Sequence, residues 1–270
     1  RLMDDAEHAC IHFAAACKSD DTDAMAQLGM QLYLGNGVDP DPQLAVAWLQ
    51  RAVAGNNPDA QLFLALAYAR GNGLARNPHE AQRLFQLAAD QGHREAQYEW
   101  ARFIEQHSRQ ASSHARAVQL YDQAARQGHL HAQLRLGKLF KADEIIGMPL
   151  AGVDDDIVPR KHSHKRSHAP HLVRALEYFM MAAEQGEREA QFELGQMYAQ
   201  GLGTPQQFDQ SIHWLQLAAR QGHARAQFNL AFQYAHGQGV EADLLKAYEW
   251  YRISHLCGSS VAKTSMEFTA

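Results

Sequence analysis

Apolar and polar positions recur along this chain with a spacing of 36 residues. Each recurrence starts at an alanine, and the apolar residues at positions +4 and +8 share one helix face with it. Position +5 is always glycine or alanine, which lets a neighbouring helix approach closely. The anchoring alanines are Ala24, Ala60, Ala96, Ala132, Ala190 and Ala226, with a partial seventh recurrence at Ala262. The pattern therefore predicts a helix at every anchor.

A second amphipathic helix is predicted after each first one, and in four of the six recurrences a Gly-x-Gly turn separates the two. Because this turn follows a helix rather than a strand, it predicts a chain reversal and not a phosphate-binding loop. The third recurrence lacks the double glycine, so a different turn is expected over 107–113. The residues expected to cap the second helices are Asp41, Asn77, Ser113 and Asp243. Glycine, or Asn56 in the first recurrence, is expected to end them in a left-handed conformation.

These elements predict an all-α fold, a right-handed α/α superhelical solenoid of six helix-pair repeats with a capping helix at each end. Residues 1–22 are predicted to form the N-terminal capping helix, and residues 259–270 a C-terminal partial repeat. The predicted repeats are 23–57, 59–93, 95–129, 131–187, 189–223 and 225–258. One repeat is longer than the others, since its step to the next anchor is 58 residues, which is 36 plus an insertion of 22.

The insertion forms a predicted loop over residues 141–171, rich in glycine, proline, histidine and charge. Its imidazoles could bind Zn²⁺, Ni²⁺ or Cu²⁺, which makes a metal-responsive binder one alternative function. A solvated polar loop and a basic docking segment for an acidic partner are the two other interpretations. The candidate metal ligands are His162, His164, His168 and His171.

Composition narrows the class of function. The chain has 25 Lys and Arg against 30 Asp and Glu, so it lacks the basic excess typical of a non-specific nucleic-acid binder. No apolar run is long enough to predict a membrane span, and the three cysteines form no disulfide or metal pattern. No cofactor or catalytic residue is indicated. Because the chain begins at Arg1, its start is expected to be truncated, and cytoplasmic and periplasmic locations both stay open.

The repeat reads Ala-x-x-x-Leu-Gly-x-x-Tyr, then Gly-x-Gly, then Ala-x-x-Trp and a closing Ala-Ala-x-x-Gly-His/Glu-x-x-Ala-Gln. This pattern resembles the Sel1-like repeat family, which is related to the tetratricopeptide repeats, over about nine tenths of the chain. The resemblance implies a non-enzymatic scaffold or adaptor that binds a peptide or protein, often in bacterial signalling, regulation or envelope processes. Some relatives are described as cysteine-rich hydrolases, but this chain lacks their cysteine pairs and any nucleophile signature, so a hydrolase is disfavoured.

A partner is expected on the concave side of the array, which the first helices of the pairs line. Positions +2 and +6 of these helices are expected to point there, together with an occasional residue near the helix end. Because position +2 is apolar in every repeat, an alternative is that its side chains, Phe192 among them, pack in the core. The residues predicted to bind the partner are Arg70, Tyr98, Arg102, Lys138, Gln196, Phe228 and Phe232.

Overall fold

The computed structural model describes residues 21–108, 110–142 and 169–258, without the side chain of Ala111. All regular structure within these ranges is helical, so the predicted all-α fold of repeated helix pairs is confirmed. Nearly all of the predicted N-terminal cap, the C-terminal partial repeat and most of the inserted loop lie outside them. The helices are α1 (Thr22–Leu34), α2 (Pro42–Ala54), α3 (Pro58–Arg70), α4 (Pro78–Asp90), α5 (Arg94–His107), α6 (Ala111–Arg126), α7 (Leu130–Lys141), α8 (Pro170–Glu184), α9 (Arg188–Gln200), α10 (Phe208–Arg220), α11 (Ala224–His236) and α12 (Leu244–Leu256).

The chain forms two compact units, unit 1 over Arg1–Ala124 and unit 2 over Ala125–Ala270. In unit 1, α1 packs on α2, α2 on α3, α3 on α4 and α4 on α5. In unit 2, the same succession runs from α7 through to α12. First helices of successive pairs also touch, as α1 touches α3 and α9 touches α11. Within each unit, these helices therefore bury their apolar faces against their chain neighbours.

Close helix packing explains the small residue at position +5. A Cβ atom added to Gly137 would lie 2.7 Å from Cδ1 of Phe179, and one added to Gly195 would lie 2.6 Å from Cγ of Leu215. Both distances are far inside van der Waals contact, since carbon atoms pack at about 3.5–4.0 Å. The predicted packing role of these glycines is confirmed.

The turns have the conformation that their glycines predict. Gly71 and Gly73 have φ of 72° and 78°, and Asn56 ends α2 with φ of 61°. A Cβ atom on Gly73 would lie 2.1 Å from the carbonyl oxygen of Pro42, so this turn packs directly on the start of the preceding second helix. Asp41, Asn77 and Asp243 cap their helices through side-chain oxygens, as expected. The prediction for Ser113 is wrong, because α6 begins two residues earlier, at Ala111.

In repeats three to six, a buried glutamine next to the anchor fixes the first helix to the preceding second helix. Gln191 Nε2 donates to the carbonyl of Ala183 at 3.2 Å, and Gln227 Nε2 donates to that of Ala219 at 3.0 Å. These carbonyls belong to the last turn of a helix, where no intrahelical donor is available. The first helices are thereby held in a constant register, which positions the surface described next.

Candidate partner-binding surface

Position +6 of the first helices stays accessible in every repeat, whereas positions +4 and +5 are buried throughout. The side chains at +6 are chemically diverse, and only the last of them is fully exposed, the others being half-buried. They are Met30, Leu66 and Arg102 in unit 1, and Lys138, Gln196 and Phe232 in unit 2. We call the surface that carries them the first-helix face. Four of the residues predicted to bind a partner lie on this face. They are Arg102 in unit 1, and Lys138, Gln196 and Phe232 in unit 2.

In unit 1, the structure brings Arg70 and Arg102 together, although they lie in different repeats. Both line one cavity of about 270 Å³, together with Glu99 and Gln106 and an apolar wall that includes Phe85. Arg102 Nη1 donates to Oε1 of Glu99 at 2.7 Å, and its side chain is still 42% exposed. Burial opposes the charge of Arg102, but Glu99 outweighs burial and raises its pKa, so the guanidinium stays charged.

Tyr98 is half-buried at the side of this cavity. Its ring lies 5.7 Å from the ring of Tyr121, and the Arg102 guanidinium lies 5.7 Å from its centroid. Burial raises the pKa of the Tyr98 phenol, and the nearby Arg102 opposes that rise. Tyr98 is thus a neutral aromatic surface beside a cation, and part of its ring belongs to the packing between α5 and α6.

In unit 2, Lys138 belongs to a chain of polar contacts that links α7, α9 and the N-cap of α11. Its Nζ lies 3.3 Å from Oε1 of Glu189, whose other oxygen lies 3.0 Å from Nε2 of His223. Burial disfavours the Glu189 carboxylate, but hydrogen bonds from His223 and Lys138 outweigh that effect and hold its pKa below the usual value. A partner carboxylate at Lys138 would therefore compete with Glu189.

Phe232 offers the largest accessible ring of the predicted set. It is 40% exposed and stacks on His236 with centroids 4.0 Å apart. It also lines a cavity of about 210 Å³ with Phe208 and Gln206. Gln196 and Phe228 do not line this cavity. Gln196 is half-buried on the first-helix face, and Phe228 packs against Tyr251 at 5.3 Å.

Position +2 contributes mostly to the core. Phe192 is fully buried, stacks on His223 at 4.3 Å and lies beneath the guanidinium of Arg225. Leu62 and Ala26, at the same position in earlier repeats, are also buried. Phe192 is therefore a packing residue and offers no free ring to a partner, as the alternative interpretation of this position predicts.

Side-chain hydrogen bonds between residues 34 positions apart link successive first helices, and the sequence pattern did not predict them. In three repeats the residue before the first helix caps that helix, and the same side chain pairs with an acid 34 residues earlier, at the start of the preceding first helix. His93 accepts from the Ala96 N–H through Nδ1, while its Nε2 lies 3.0 Å from Oδ1 of Asp59. Asn57 accepts from the Ala60 N–H and donates to Asp23 at 2.7 Å. The recurring His or Asn, 34 residues after an Asp or Glu, is the signal that could have revealed these links.

The metal hypothesis stays a prediction. His171 lies in the first turn of α8, whereas His162, His164 and His168 lie outside the described residues. Over the residues that the structure describes, no group of three potential ligands is close enough to hold a metal ion. In the same part of the chain, no helix is both long and apolar enough to cross a membrane.

Comparison with known proteins identifies the repeat. The Sel1 repeat model matches residues 22–57, 58–93, 94–129, 172–187, 188–223 and 224–254, well over half of the chain. The chain belongs to the Sel1 repeat family. Sel1 repeat proteins are generally non-enzymatic scaffolds for protein interaction. Only the second half of repeat four is matched, because the insertion follows α7.

Two solved Sel1 repeat structures resemble this one. A Sel1 repeat protein from Oxalobacter formigenes is 26% identical with a TM-score of 0.66, over 90% of this chain and 86% of that one. The protein c5321, a protective antigen of uropathogenic Escherichia coli strains, is 24% identical with a TM-score of 0.52. That alignment covers 95% of this chain and 58% of the antigen, and it shows the fold alone. No curated protein matches the chain.

Proposed function

We propose that this Sel1 repeat protein is a non-enzymatic scaffold that binds a peptide or protein partner on its first-helix face, in a bacterial signalling, regulatory or envelope process. One observation carries the proposal. The side chain at position +6 is accessible in all six repeats and differs in chemistry from repeat to repeat, while its neighbours at +4 and +5 are uniformly small or apolar and buried. A position that served packing alone would be apolar and buried like its neighbours.

The two units suit different parts of a partner. In unit 1, Arg70 and Arg102 both line a cavity and suit a carboxylate, which Arg binds with directional hydrogen bonds and which would compete with Glu99 for Arg102. In unit 2, the exposed ring of Phe232 suits an apolar side chain, and Lys138, at position +6 two repeats earlier, suits a second acid. A partner that combines acidic and apolar side chains fits these features best.

Site-specific photo-crosslinking tests the use of this face. A photoreactive phenylalanine analogue placed at Leu66 or Gln196 is expected to capture the partner from a lysate of the source organism. The matched controls are Gln86 and Glu177, which are exposed on the second helices α4 and α8. Equal capture from the control positions would show that the first-helix face is not the binding surface.

Charge reversal tests the electrostatic part of the proposal. With a captured partner in hand, Arg102→Glu and Lys138→Glu are each expected to weaken binding by about tenfold or more, since close charge pairs at interfaces contribute at this level. Arg252→Glu, on the exposed side of α12, provides a control with the same change in net charge. Unchanged affinity in both test variants would leave the cavity of unit 1 and the Lys138 site without a role in binding.

A further inference from the structure

A second cavity in unit 1 lies at the start of α6 and shares the lining residues Phe103 and His107 with the cavity of Arg70 and Arg102. Its volume is about 350 Å³. It combines an apolar wall from α5 with polar side chains from α4 and α6. The lining residues are Gln82, Trp100, Phe103, Ile104, His107, Ser108, Ser112, Ser113 and Arg116.

Repeat three departs from the other repeats at this cavity. Trp100 occupies position +4, where the five other repeats have leucine, and the turn that follows lacks the Gly-x-Gly pattern. The side chain is nearly all buried, with the residue 4% exposed, yet its indole N–H has no hydrogen-bond partner. Buried donors are almost always paired in native proteins, so an unpaired one needs an explanation. The indole nitrogen itself has almost no accessible surface, so a ligand in the cavity would meet the ring of Trp100 and not its N–H.

Three more polar side chains of the cavity carry donors without partners among the described residues, whereas His107 and Ser108 are hydrogen-bonded. The Arg116 guanidinium lies 5.1 Å from the Trp100 ring centroid and forms no ion pair with any residue that the structure describes. The hydroxyls of Ser112 and Ser113 make no hydrogen bond within the same described residues. Both serines lie in the first turn of α6, a 16-residue helix, where backbone N–H groups and the helix dipole favour an anion.

The charge of the cavity points to one class of ligand. None of the described residues that line it is acidic, and one of them is a cation. A guanidinium and two hydroxyls at the first turn of a helix together match the oxygens of an anion. Trp100, Phe103 and Ile104 form the opposite, apolar wall, which a small inorganic anion would leave uncovered.

We propose that this cavity binds a carboxylate attached to an apolar group. Two sources supply that chemistry: a small organic acid with an aryl or alkyl body, and the C-terminal carboxylate of a peptide that ends in an apolar residue. The site is independent of the first-helix face, because none of its polar groups belongs to position +6.

Titration of the whole chain with defined probes tests the proposal and separates the two sources. The first probe is 3-phenylpropionate, and the second is a short peptide ending in phenylalanine, with its amidated form as control. Calorimetry is expected to give a dissociation constant below about 1 mM for at least one of them, equivalent to ~4 kcal/mol. Binding of the free-carboxylate peptide but not of the amidated form would identify the C-terminal source. Absence of heat for every probe would overturn the proposal.

Variants assign the binding to this cavity. Arg116→Gln is expected to weaken probe binding by about tenfold or more, because a hydrogen bond to a charged group is lost. Arg51→Gln is the matched control, since the Arg51 guanidinium also lies above a tryptophan, Trp48, at 4.9 Å but away from the cavity. Ser113→Ala removes only one hydroxyl and serves as a second, conservative test.

Circular dichroism establishes that each variant keeps its helix content. If Arg116→Gln and Ser113→Ala both bound the probe as tightly as the unaltered chain does, the assignment of binding to this cavity would be overturned. Displacement of the probe by an equal concentration of inorganic phosphate would also overturn it, because the apolar wall would then contribute nothing to recognition.

Discussion

Replacement of His223 by alanine is expected to destabilise the last repeat by ~2 kcal/mol, as the sum of two lost interactions of ~1 kcal/mol each. The first is the helix cap, in which Nδ1 accepts from the Ala226 N–H at 3.1 Å. The second is the 3.0 Å contact of Nε2 with Glu189, which links α11 to the preceding repeat. The second value is modest because the side chain of Glu189 is 32% exposed, so solvent screens the pair.

The chain itself offers a matched control. Asn57, directly before the first helix of repeat two, occupies the position equivalent to His223. It also caps its helix and pairs with an acid, since it accepts from the Ala60 N–H at 2.9 Å and donates to Asp23 at 2.7 Å. His223→Asn should therefore retain most of the stability that His223→Ala loses. The remaining deficit reflects the lost stacking of the imidazole on Phe192.

Hydrogen exchange at the start of α11 measures the effect locally, and urea unfolding followed by far-UV circular dichroism measures it for the whole chain. The local measurement matters because repeat arrays can unfold in parts and depart from two-state behaviour. Faster exchange is expected in the alanine variant alone. If the asparagine variant exchanged as fast as the alanine variant, or if neither changed, the capping link would have no energetic role.

Three further predictions concern stability. Since burial opposes the Glu189 carboxylate but His223 and Lys138 outweigh it and lower its pKa, its contribution is present at neutral pH and lost on acidification. Glu189→Gln should thus lower the urea midpoint at pH 7, and the difference should shrink as the pH falls below the usual glutamate pKa of about 4.3 and through the lower pKa of folded Glu189. Gly137→Ala should lower the free energy of unfolding by ~1–3 kcal/mol, because the new Cβ would lie 2.7 Å from the Phe179 ring. Gly203→Ala should destabilise the chain more than a Gly→Ala exchange within a helix. The reason is that φ is +71° and the carbonyl oxygen of Leu172 lies 2.4 Å from the new Cβ. Calorimetry can measure the change in unfolding free energy.

Much of the fold could be predicted because the same type of residue recurs at the same position of each repeat. A single glycine such as Gly137 within a helix is ambiguous, but three glycines and three alanines at position +5 in six repeats indicate close helix packing. Likewise, positive φ at Gly71 and Gly73 follows from a glycine pair that recurs where a helix must reverse. Ser113 was wrongly predicted to cap α6, because a good capping residue is also tolerated in the first turn and the helix already begins at Ala111.

The candidate site was less predictable, because it depends on distances between repeats. Arg70 and Arg102 occupy different positions in their helices, and their meeting in one cavity depends on how far α3 is displaced along α5. The sequence pattern gives no measure of that displacement. Similarly, position +2 is apolar in every repeat, and the pattern alone could not separate the fully buried Phe192 from the half-buried Tyr98. The unpaired N–H of Trp100 emerges only when the neighbouring helices are in place.

The accessible row at position +6 has a consequence for how such proteins change over time. Helix packing depends on the anchors, the small residues at +5 and the capping links, and among the side chains at +6 Lys138 takes part in one such link through Glu189. Substitutions there can retarget the molecule while the backbone persists. A collection of chains that differ only at these six positions should share one architecture and select different ligands.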